Sequence, residues 1–335
     1  MYAIVIEETG GPEVLQYTHL ATPEPGLGEV RIRIAYAGVN PADWKNRQGM
    51  LARYRPYVFP YIIGFDAAGV VDKVGEGVED LVPGDRVVTP TNHGQGGQGS
   101  YAEYAIANAD RVAPIPDTMR FDQAAALPVA SLTAWQALFD RGGLEAGHSA
   151  LIHGGSGGLG SFAVQFGRLV GARVAATCST RNVNYLKSLG VERVIDYRKD
   201  DIAEAITDWA PQGLDYLMDA AGVSTLPQAL DLVRPGGTYV SIPTLVDDGD
   251  AEASLAAAAE KGVKRVFSMM DDTHCAGTLQ KIAELVAGEE IQLPPLREFT
   301  LRDVARAHEI IQRGHTRGKI VLKVADLQDS AHSAR

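Results

Sequence analysis

Apolar and polar positions alternate through roughly the first 120 residues with the two-residue period of half-buried strands. In residues 30–36, for example, Val30, Ile32 and Ile34 alternate with two arginines and an alanine. Similar short runs, separated by glycine-rich turns, lie at residues 67–74, 85–89 and 100–107. The pattern predicts a β-rich barrel or sandwich, interrupted by a short helical segment at 41–49.

From about residue 122 the pattern changes to an alternation of strands and amphipathic helices. Predicted strands lie at residues 150–153, 173–178, 193–196, 214–219, 238–242 and 263–267, with helices at 158–170 and 183–189 among those between them. Repeated βα units predict a parallel, doubly wound sheet and place the chain in the α/β class. Helices ending at 287 and 313 follow, and a last strand at 319–324 fits the β-rich region better than the parallel sheet.

A glycine-rich loop joins the first of these later strands to the next helix. Residues 150–161 read ALIHGGSGGLGS, in which Gly155, Gly157 and Gly160 have the spacing of a dinucleotide-binding loop. The first glycine is expected to allow a tight turn, the second a close approach to a pyrophosphate, and the third close packing of helix on strand. Together with Gly158 and Leu159, they are predicted to bind the cofactor phosphates; the alternative is a merely flexible loop.

The end of the next strand predicts which dinucleotide is bound. An NAD site usually has an acidic residue about 20 positions beyond the loop, but this chain has Ser179, Thr180 and Arg181 there. Two hydroxyls and a guanidinium suit a 2′-phosphate, which an acid would repel. The sequence therefore predicts NADPH, although Ser179 could only cap a helix and Arg181 could only be solvated.

Composition and charge narrow the expected partners. The 335 residues include 31 basic and 42 acidic side chains, a net charge of −11, so neither nucleic acids nor anionic membranes are expected partners. The N-terminus lacks the features of a signal peptide, and no apolar stretch is long enough to cross a membrane. Two cysteines, Cys178 and Cys275, allow no disulfide framework and indicate a reducing compartment. We predict a cytoplasmic protein.

Four segments have the character of family motifs: GVNPADWK at 38–45, GFDAAGVV at 64–71, LPVASLTAWQAL at 127–138 and HGGSGGLG at 153–160. Together they resemble the zinc-independent quinone oxidoreductase and enone reductase branch of the medium-chain dehydrogenase/reductase superfamily, the relatives of zeta-crystallin. The resemblance implies a GroES-like β-barrel catalytic domain at 1–122 and 271–335, and a Rossmann NADPH-binding domain at 123–270. It also implies an active site in the cleft between them, and a homodimer formed through the sheet edge at 263–267.

The resemblance also implies that no metal is bound. Zinc-dependent alcohol dehydrogenases of the superfamily carry a cysteine where this chain has Asn40, a histidine where it has Phe65, and another cysteine in the segment 127–133. Their structural zinc needs four clustered cysteines, whereas the corresponding segment 91–100 has none. Asp66, next to Phe65, is an acidic residue that could bind a metal, but it is expected to have a structural role.

Without a Lewis acid, reduction is easier than alcohol oxidation, because the charge that moves onto a carbonyl oxygen needs only hydrogen-bond donors. The resemblance places Asn40 near the nicotinamide ribose, and the pattern N-P-x-D-x-K that ends at Lys45 is similar to that of alkenal and enone reductases. We hypothesise that Lys45 stabilises the enolate oxygen or orients the carbonyl; the alternative is a solvated lysine on a short helix. Asp43 is expected to cap or pair locally. Four nearby aromatic residues could line a pocket or only pack: Trp44, Tyr54, Tyr57 and Tyr61.

Other cofactor contacts are implied by the resemblance alone. They are Thr133 near the nicotinamide, Tyr197 near the adenosine, Gly222 and Ser241 along the ribose, and Lys319 closing over the cofactor. Gly222 could instead be only a turn, and Lys319 only a charge at a strand edge. The histidines with no metal-site or triad spacing are read as ordinary polar residues: His93, His153, His274 and His308.

These observations predict an NADPH-dependent reductase that transfers hydride to quinones or to the β-carbon of α,β-unsaturated carbonyls. One alternative is an enoyl-thioester reductase, although the sequence has no basic patch suited to a phosphopantetheine or a carrier protein. The other is a non-catalytic NADPH-binding protein, crystallin-like or redox-sensing, against which Lys45 and the cleft motifs argue.

Overall fold

The computed structural model describes residues 1–52, 54, 56–91, 98–314 and 316–327. His93, most of the segment 91–100 and most of the C-terminal tail lie outside these ranges. The strands are β1 (Tyr2–Ile6), β2 (Gln16–His19), β3 (Glu29–Val39), β4 (Tyr61–Ile62), β5 (Asp66–Val74), β6 (Arg86–Pro90), β7 (Tyr104–Asn108), β8 (Ala113–Pro114), β9 (Ser149–His153), β10 (Arg173–Cys178), β11 (Arg193–Asp196), β12 (Leu214–Asp219), β13 (Val233–Ser241), β14 (Lys264–Phe267), β15 (Leu296–Thr300) and β16 (Lys319–Lys323). The helices are α1 (Pro41–Arg47), α2 (Phe121–Ala124), α3 (Pro128–Trp135), α4 (Gly158–Leu169), α5 (Val183–Ser188), α6 (Ile202–Trp209), α7 (Ala251–Glu260), α8 (Ala276–Ala287) and α9 (Val304–Gln312).

The middle of the chain forms the parallel, doubly wound sheet that the sequence predicts. Its strands run in the order β11-β10-β9-β12-β13-β14, and each neighbouring pair is parallel. The chain moves outward from β9 to β11 on one side and returns to the other side of β9 at β12. The loops after β9 and β12 therefore diverge, and the crevice between them is where doubly wound sheets bind ligands.

A second, largely antiparallel sheet is formed by strands from both ends of the chain. Its order is β15-β16-β3-β5-β6-β8, and β7 also pairs with β3. The last strand, β16, lies antiparallel to β3 with Val321 opposite Gly38. A separate sheet of order β2-β1-β4 packs with it. The α/β class is confirmed, while the domain limits after residues 122 and 270 stay a prediction.

One continuous apolar core joins the two large sheets. It includes Val88 and Val321 from the antiparallel sheet, Leu132 from α3, and Phe162 and Phe166 from α4, all of them buried. Because α3 packs on α4 and also contacts β6, it fixes the antiparallel sheet against the parallel one. The cleft between the two sheets is thus a defined part of the fold. No helix in the described part of the chain has the length and apolarity needed to cross a bilayer.

Two strands differ from the sequence pattern. β13 begins at Val233 instead of at 238, because the chain stays paired through a bulge: Val233 lies opposite Leu214, and Thr238 opposite Tyr216. Gly236, with φ of +81°, accommodates this irregularity. The pattern also misses β2, whose sequence QYTH is too short and polar to give a periodic signal.

Candidate active site

The glycine loop follows β9 at the carboxyl edge of the parallel sheet. Gly154, with φ of +89°, adopts the left-handed conformation in the tight turn at 154–156, and Gly155 lies in the same turn. Gly155 is required for another reason, because a Cβ there would lie 2.8 Å from the Ala176 Cβ. A Cβ on Gly160 would lie 2.2 Å from the Gly154 carbonyl oxygen, so this glycine permits the close packing of α4 on the loop.

The loop leaves room for a ligand at its second glycine. The nearest heavy atom to a Cβ built on Gly157 lies 3.5 Å away and belongs to Gly154. Gly158 begins α4, and Leu159 is partly buried against the core. The backbone N–H groups of this first turn have no partner within the helix, and such groups bind phosphate well. The loop therefore fits the pyrophosphate of a dinucleotide.

His153, the last residue of β9, connects the glycine loop to the loop after β12. Its ring is 3% exposed, with Nδ1 2.8 Å from Thr177 Oγ1 and Nε2 2.9 Å from Thr225 Oγ1. Thr177 Oγ1 accepts the Gly154 N–H at 2.9 Å, and Thr225 Oγ1 donates to the Gly222 carbonyl at 2.6 Å. Burial lowers the pKa of His153, which favours the neutral ring. His153 thus positions both loops, a role that its spacing in the sequence does not reveal.

The residues predicted to contact the adenosine end lie together where β10 and β11 end: Ser179, Thr180, Arg181 and Tyr197. Asn182 Nδ2 donates to Ser156 Oγ at 3.0 Å, which fixes the turn after β10 beside the glycine loop. The Tyr197 backbone N–H donates to the Cys178 carbonyl at 3.1 Å, and the Tyr197 side chain is 36% exposed. This edge of the sheet is therefore open to a ligand that lies along the loop.

A cavity of about 820 Å³ opens between this edge and α9. The described residues that line it include Glu309 and five arginines: Arg181, Arg297, Arg306, Arg313 and Arg317. The buried hydroxyl of Thr316, which also lines the cavity, has no hydrogen-bond partner among the described residues. In a chain of net charge −11, so many cations around one cavity favour an anionic ligand. The sequence shows no basic patch suited to a phosphopantetheine, whereas the fold forms an arginine-rich cavity by bringing Arg181 beside the four other lining arginines, which lie between residues 297 and 317.

Asn40, Asp66 and Lys319 form a buried, hydrogen-bonded cluster. Asn40 Nδ2 donates to Asp66 Oδ2 at 2.8 Å, and Lys319 Nζ donates to Asn40 Oδ1 at 2.5 Å. Lys319 Nζ also lies 3.4 Å from Asp66 Oδ2. Asp66 Oδ1 accepts the Val129 N–H at 2.9 Å, so this carboxylate links α1, β5, β16 and α3. The expected structural role of Asp66 agrees with these contacts.

Lys319 also places this cluster against the glycine loop. A Cβ on Gly158 would lie 2.8 Å from Lys319 Cδ, and Gly157 and Gly318 form a backbone bridge. β16 is paired on both sides, with β15 and β3, and Lys319 is 4% exposed. The alternative that Lys319 is only a charge at a strand edge is therefore wrong. Asn40 and Lys319 lie where the antiparallel sheet meets the N-terminus of α4.

Lys45 stands apart from this cluster. Its ammonium lies 5.6 Å from the centroid of the Trp44 ring. The side chain is partly buried, and burial lowers the pKa of Lys45 while the carboxylate of Asp248, in the loop before α7, acts in the opposite sense. A fully solvated lysine does not fit this environment. Asp43 accepts the Asn40 N–H at 2.5 Å, and this local capping contact is the kind expected of it.

The remaining predicted residues lie in separate local contacts. The Thr133 hydroxyl donates to the Val129 carbonyl at 2.6 Å, within α3. Ser241 Oγ accepts from the Arg265 guanidinium at 2.9 Å. Gly222 has φ of +109°, and a Cβ there would lie 2.7 Å from Asp247 Oδ2, so a turn role alone accounts for this glycine. None of these three contacts assigns or excludes a cofactor role.

The four aromatic residues near α1 differ in their environments. Tyr61 is 1% exposed and belongs to the apolar core around β1. The Tyr57 hydroxyl donates to Asn46 Oδ1 at 2.8 Å, and its ring packs edge-on against Tyr61. Trp44 lies beneath Lys45, and Tyr54 is 44% exposed. Tyr57 and Tyr61 are therefore packing residues, which leaves Trp44 and Tyr54 as candidates for the pocket.

Comparison with known proteins places this site in a family. Residues 26–117 match the alcohol dehydrogenase GroES-like domain, and residues 189–322 match the zinc-binding dehydrogenase family. The chain is 30% identical over 364 aligned positions to NAD(P)H oxidoreductase RTN4IP1, mitochondrial, of Danio rerio, covering 98% of this chain and 92% of that protein. Its fold is similar to a quinone oxidoreductase from Coxiella burnetii, with a TM-score of 0.86 and 31% identity over 97% of this chain and 99% of the other. It is also similar to Escherichia coli quinone oxidoreductase complexed with NADPH, with a TM-score of 0.87 and 26% identity over 97% and 100%.

The chain therefore belongs to the medium-chain dehydrogenase/reductase superfamily, and within it to the quinone oxidoreductase branch. It is an oxidoreductase of that family, and the GroES-like character predicted for its β-rich part is confirmed.

Proposed function

We propose that the protein is an NADPH-dependent reductase that transfers hydride to quinones or to the β-carbon of α,β-unsaturated carbonyls, without zinc. One observation carries the proposal: the arginine-lined cavity contacts the glycine loop through Asn182 and Ser156, and the loop contacts the Asn40–Asp66–Lys319 cluster through Gly158 and Lys319. Lys45 lies on α1, the helix that begins after Asn40. This order matches the two ends of a dinucleotide and an acceptor beyond it.

The bound nicotinamide supplies the hydride. The backbone of Gly155, Gly157, Gly158, Leu159 and Gly160 would hold its pyrophosphate, as the N-terminus of α4 suits an anion. Ser179, Thr180 and Arg181 would hold the 2′-phosphate, with Arg317 across the cavity, and Tyr197 would contact the adenosine. Asn40, Thr133, Gly222, Ser241 and Lys319 would contact the nicotinamide half.

Lys45 would act on the substrate carbonyl, and Asn40 on the nicotinamide beside it. As hydride reaches the β-carbon, negative charge develops on the carbonyl oxygen, and a nearby ammonium stabilises that charge. Partial burial strengthens the interaction, because the local dielectric constant is lower than that of water. The amide of Asn40, held by Asp66 and Lys319, would orient the nicotinamide ribose.

The donor groups present support the absence of zinc. Phe65 has no ligand atom, and both side-chain atoms of Asn40 are engaged by Asp66 and Lys319. Within the described ranges, no three His, Cys, Asp or Glu side chains lie together as a metal site would need. Zinc independence stays a proposal.

The test is the loss of NADPH absorbance with a quinone, a short alkenal and an enoyl thioester, each repeated with NADH and with a chelator. Turnover of the quinone or the alkenal with NADPH, unaffected by the chelator, supports the proposal. No decay with any acceptor would favour a protein that binds NADPH without turnover, and a rate lost on chelation would overturn the zinc-independent mechanism.

Replacement of Lys45 by alanine tests its role directly. We expect kcat for the alkenal to fall roughly tenfold to a hundredfold, with the Kd for NADPH nearly unchanged, because Lys45 would act on the acceptor. Lys281 on α8, whose ammonium lies 4.8 Å from the ring centroid of Trp135 on α3, provides a matched lysine–tryptophan pair, and Lys281→Ala should leave kcat unchanged. Wild-type turnover by Lys45→Ala would contradict the assignment.

The arginine-lined cavity also favours a second candidate, an enoyl-thioester reductase. A coenzyme A ester carries phosphates that five arginines could bind. The two candidates are separated by comparing a coenzyme A ester with the pantetheine ester of the same acid. A kcat/KM that is at least about tenfold higher for the coenzyme A ester supports the thioester activity; equal values support the small-molecule enone.

Two further predictions concern assembly and location. β14 is an edge strand of the parallel sheet, so it is available for the proposed homodimer, and light scattering would measure the mass in solution. The predicted cytoplasmic location rests on the sequence alone.

A further inference from the structure

The inner face of α1 is polar, although it is buried. Asp43, Asn46 and Arg47 are each 0% exposed. Arg47 donates from Nε to the Gly10 carbonyl at 3.0 Å and from Nη2 to Gln312 Oε1 at 3.0 Å. A helix that carries Lys45 is thus held by specific hydrogen bonds, which fix its orientation more narrowly than apolar packing would.

Arg47, His308 and Tyr101 form one hydrogen-bonded row that leads to Asp43. Arg47 Nη1 lies 3.1 Å from His308 Nδ1, and His308 Nε2 lies 3.2 Å from the Tyr101 hydroxyl. Arginine can only donate, so His308 Nδ1 accepts and Nε2 carries the proton that it donates to Tyr101. Tyr101 and Asp43 lie close enough that each shifts the pKa of the other. The row is therefore composed of neutral groups between Arg47 and the carboxyl of Asp43.

Asp43 and Asp66 compete for one buried ammonium. Asp66 receives hydrogen bonds from Val129, Asn40 and Lys319, which satisfies a charged carboxylate. Asp43 accepts the Asn40 N–H on Oδ2 and interacts with the Tyr101 hydroxyl, but among the described residues its Oδ1 has no partner that meets hydrogen-bond geometry. Two buried carboxylates beside a single cation cannot both be charged at low cost, and Asp43 is the one with fewer donors and no hydrogen bond from a charged group.

We propose that Asp43 is a positioning residue that works as a neutral carboxylic acid, protonated on Oδ1, and that loss of this proton disturbs the Asn40–Asp66–Lys319 cluster and lowers turnover. The inference rests on the proposed reductase function. The groups that face Asp43 among the described residues are the Asn40 backbone, Tyr101, Asp66 and Lys319. A charge on Asp43 would repel Asp66 and draw Lys319 away from Asn40, which holds the nicotinamide side in place.

The direction of the pH effect follows from burial. Burial, opposed by the Asn40 N–H and aided by the charge of Asp66, raises the pKa of Asp43 to about 8. Below that pH the acid is neutral and the cluster is intact, and above it the second negative charge appears. Lys45 also titrates on the alkaline side, since burial lowers its pKa, so the rate alone does not separate the two groups.

The experiment compares wild type, Asp43→Asn and Asp43→Ala from about pH 6 to about pH 10. Asparagine is permanently neutral and keeps the acceptor for Asn40, so Asp43→Asn should retain most of kcat at neutral pH and lose the alkaline decline that belongs to Asp43. Asp43→Ala should lose about tenfold or more of kcat at every pH, because the backbone N–H of Asn40 loses its acceptor. Asp208→Asn, at an exposed aspartate on α6, should follow the wild-type profile.

Infrared spectroscopy supplies a readout that does not need turnover. Wild type at neutral pH should show the C=O stretch of a protonated carboxylic acid, which disappears through about pH 8 and is absent from Asp43→Asn. An absent band at neutral pH, or an alkaline decline unchanged in Asp43→Asn, would overturn the proposal. If no acceptor is reduced, the reductase function fails while the infrared result still decides the protonation of Asp43.

Discussion

The two sides of the cleft are built by different means. The glycine loop relies on backbone geometry: Gly154 turns, and Gly160 lets α4 approach. The α1 side relies on buried polar side chains, with Arg47 and His308 bonded across from α9. The geometry of the glycine loop is local and depends on the absence of Cβ atoms, whereas the hydrogen-bond network around α1 needs every side chain in place. The comparison implies that function on the first side is lost by steric exclusion, and on the second side by loss of hydrogen bonds or by a change of protonation at Asp43 or His308.

The largest effect is expected from closing the space at Gly160. In Gly160→Ala the new methyl group would lie 2.2 Å from the Gly154 carbonyl oxygen, so the loop must shift. We expect the Kd for NADPH to rise about a hundredfold, measured by fluorescence titration. Gly277→Ala, at a helical glycine where a Cβ meets nothing within 4 Å, is the control and should bind NADPH normally. Unchanged affinity in Gly160→Ala would mean that the loop does not hold the cofactor.

Replacement of His308 is expected to have a smaller effect, which lowers the free energy of unfolding and leaves the glycine loop unchanged. Burial, with the neighbouring charge of Arg47, lowers the pKa of His308 to about 3. The folded protein then binds fewer protons than the unfolded chain, so the free energy of unfolding falls as pH drops from about 6.5 toward about 3, by at most about 1.4 kcal/mol per pH unit from this group. His308→Ala should cost about 2 kcal/mol at pH 7 and lose this part of the acid sensitivity, as urea unfolding would measure.

His148→Ala is the matched control for that experiment, since the His148 ring accepts the nearby Glu145 N–H and the backbone hydrogen bonds of His148 do not depend on its side chain. An acid sensitivity that is equal in His308→Ala and wild type would contradict a buried, neutral His308.

The smallest effect is expected at the arginine-lined cavity, which lies beside the glycine loop. Arg317→Ala removes one of several arginines around the cavity, so the Kd for NADPH should rise about fivefold while that for NADH stays the same. Arg173→Ala, at a half-exposed arginine paired with Glu192, should change neither. Equal losses for both cofactors would show that Arg317 does not recognise the 2′-phosphate.

The same comparison explains what the sequence could predict. The glycine loop and the order of the βα units were accessible because their signals are local: a fixed glycine spacing and a regular hydrophobic period. The motif does not state which glycine adopts a positive φ, and in the structure it is Gly154, beside Gly155 in the same turn.

The α1 side was only partly accessible. Lys45 and Asn40 could be selected from a short motif, but their partners are remote: Lys319 meets Asn40 across 279 positions, and His308 meets Arg47 across 261. His308 looked like an ordinary polar residue, because one sequence gives no signal for a buried histidine whose partner is a buried arginine. The arginine-lined cavity was missed because only the fold brings Arg181 beside the four other lining arginines, which lie between residues 297 and 317.

The pairing of β16 has a consequence for how the protein is made. β16 completes the edge of β3, and Gly318, just before it, bridges to Gly157 in the glycine loop. During translation, the loop and its parallel sheet leave the ribosome well before residue 319 does. The nascent chain must therefore carry an exposed edge of β3 and an unsupported loop until the last strand arrives, a contact between distant segments that slows folding and invites association with chaperones.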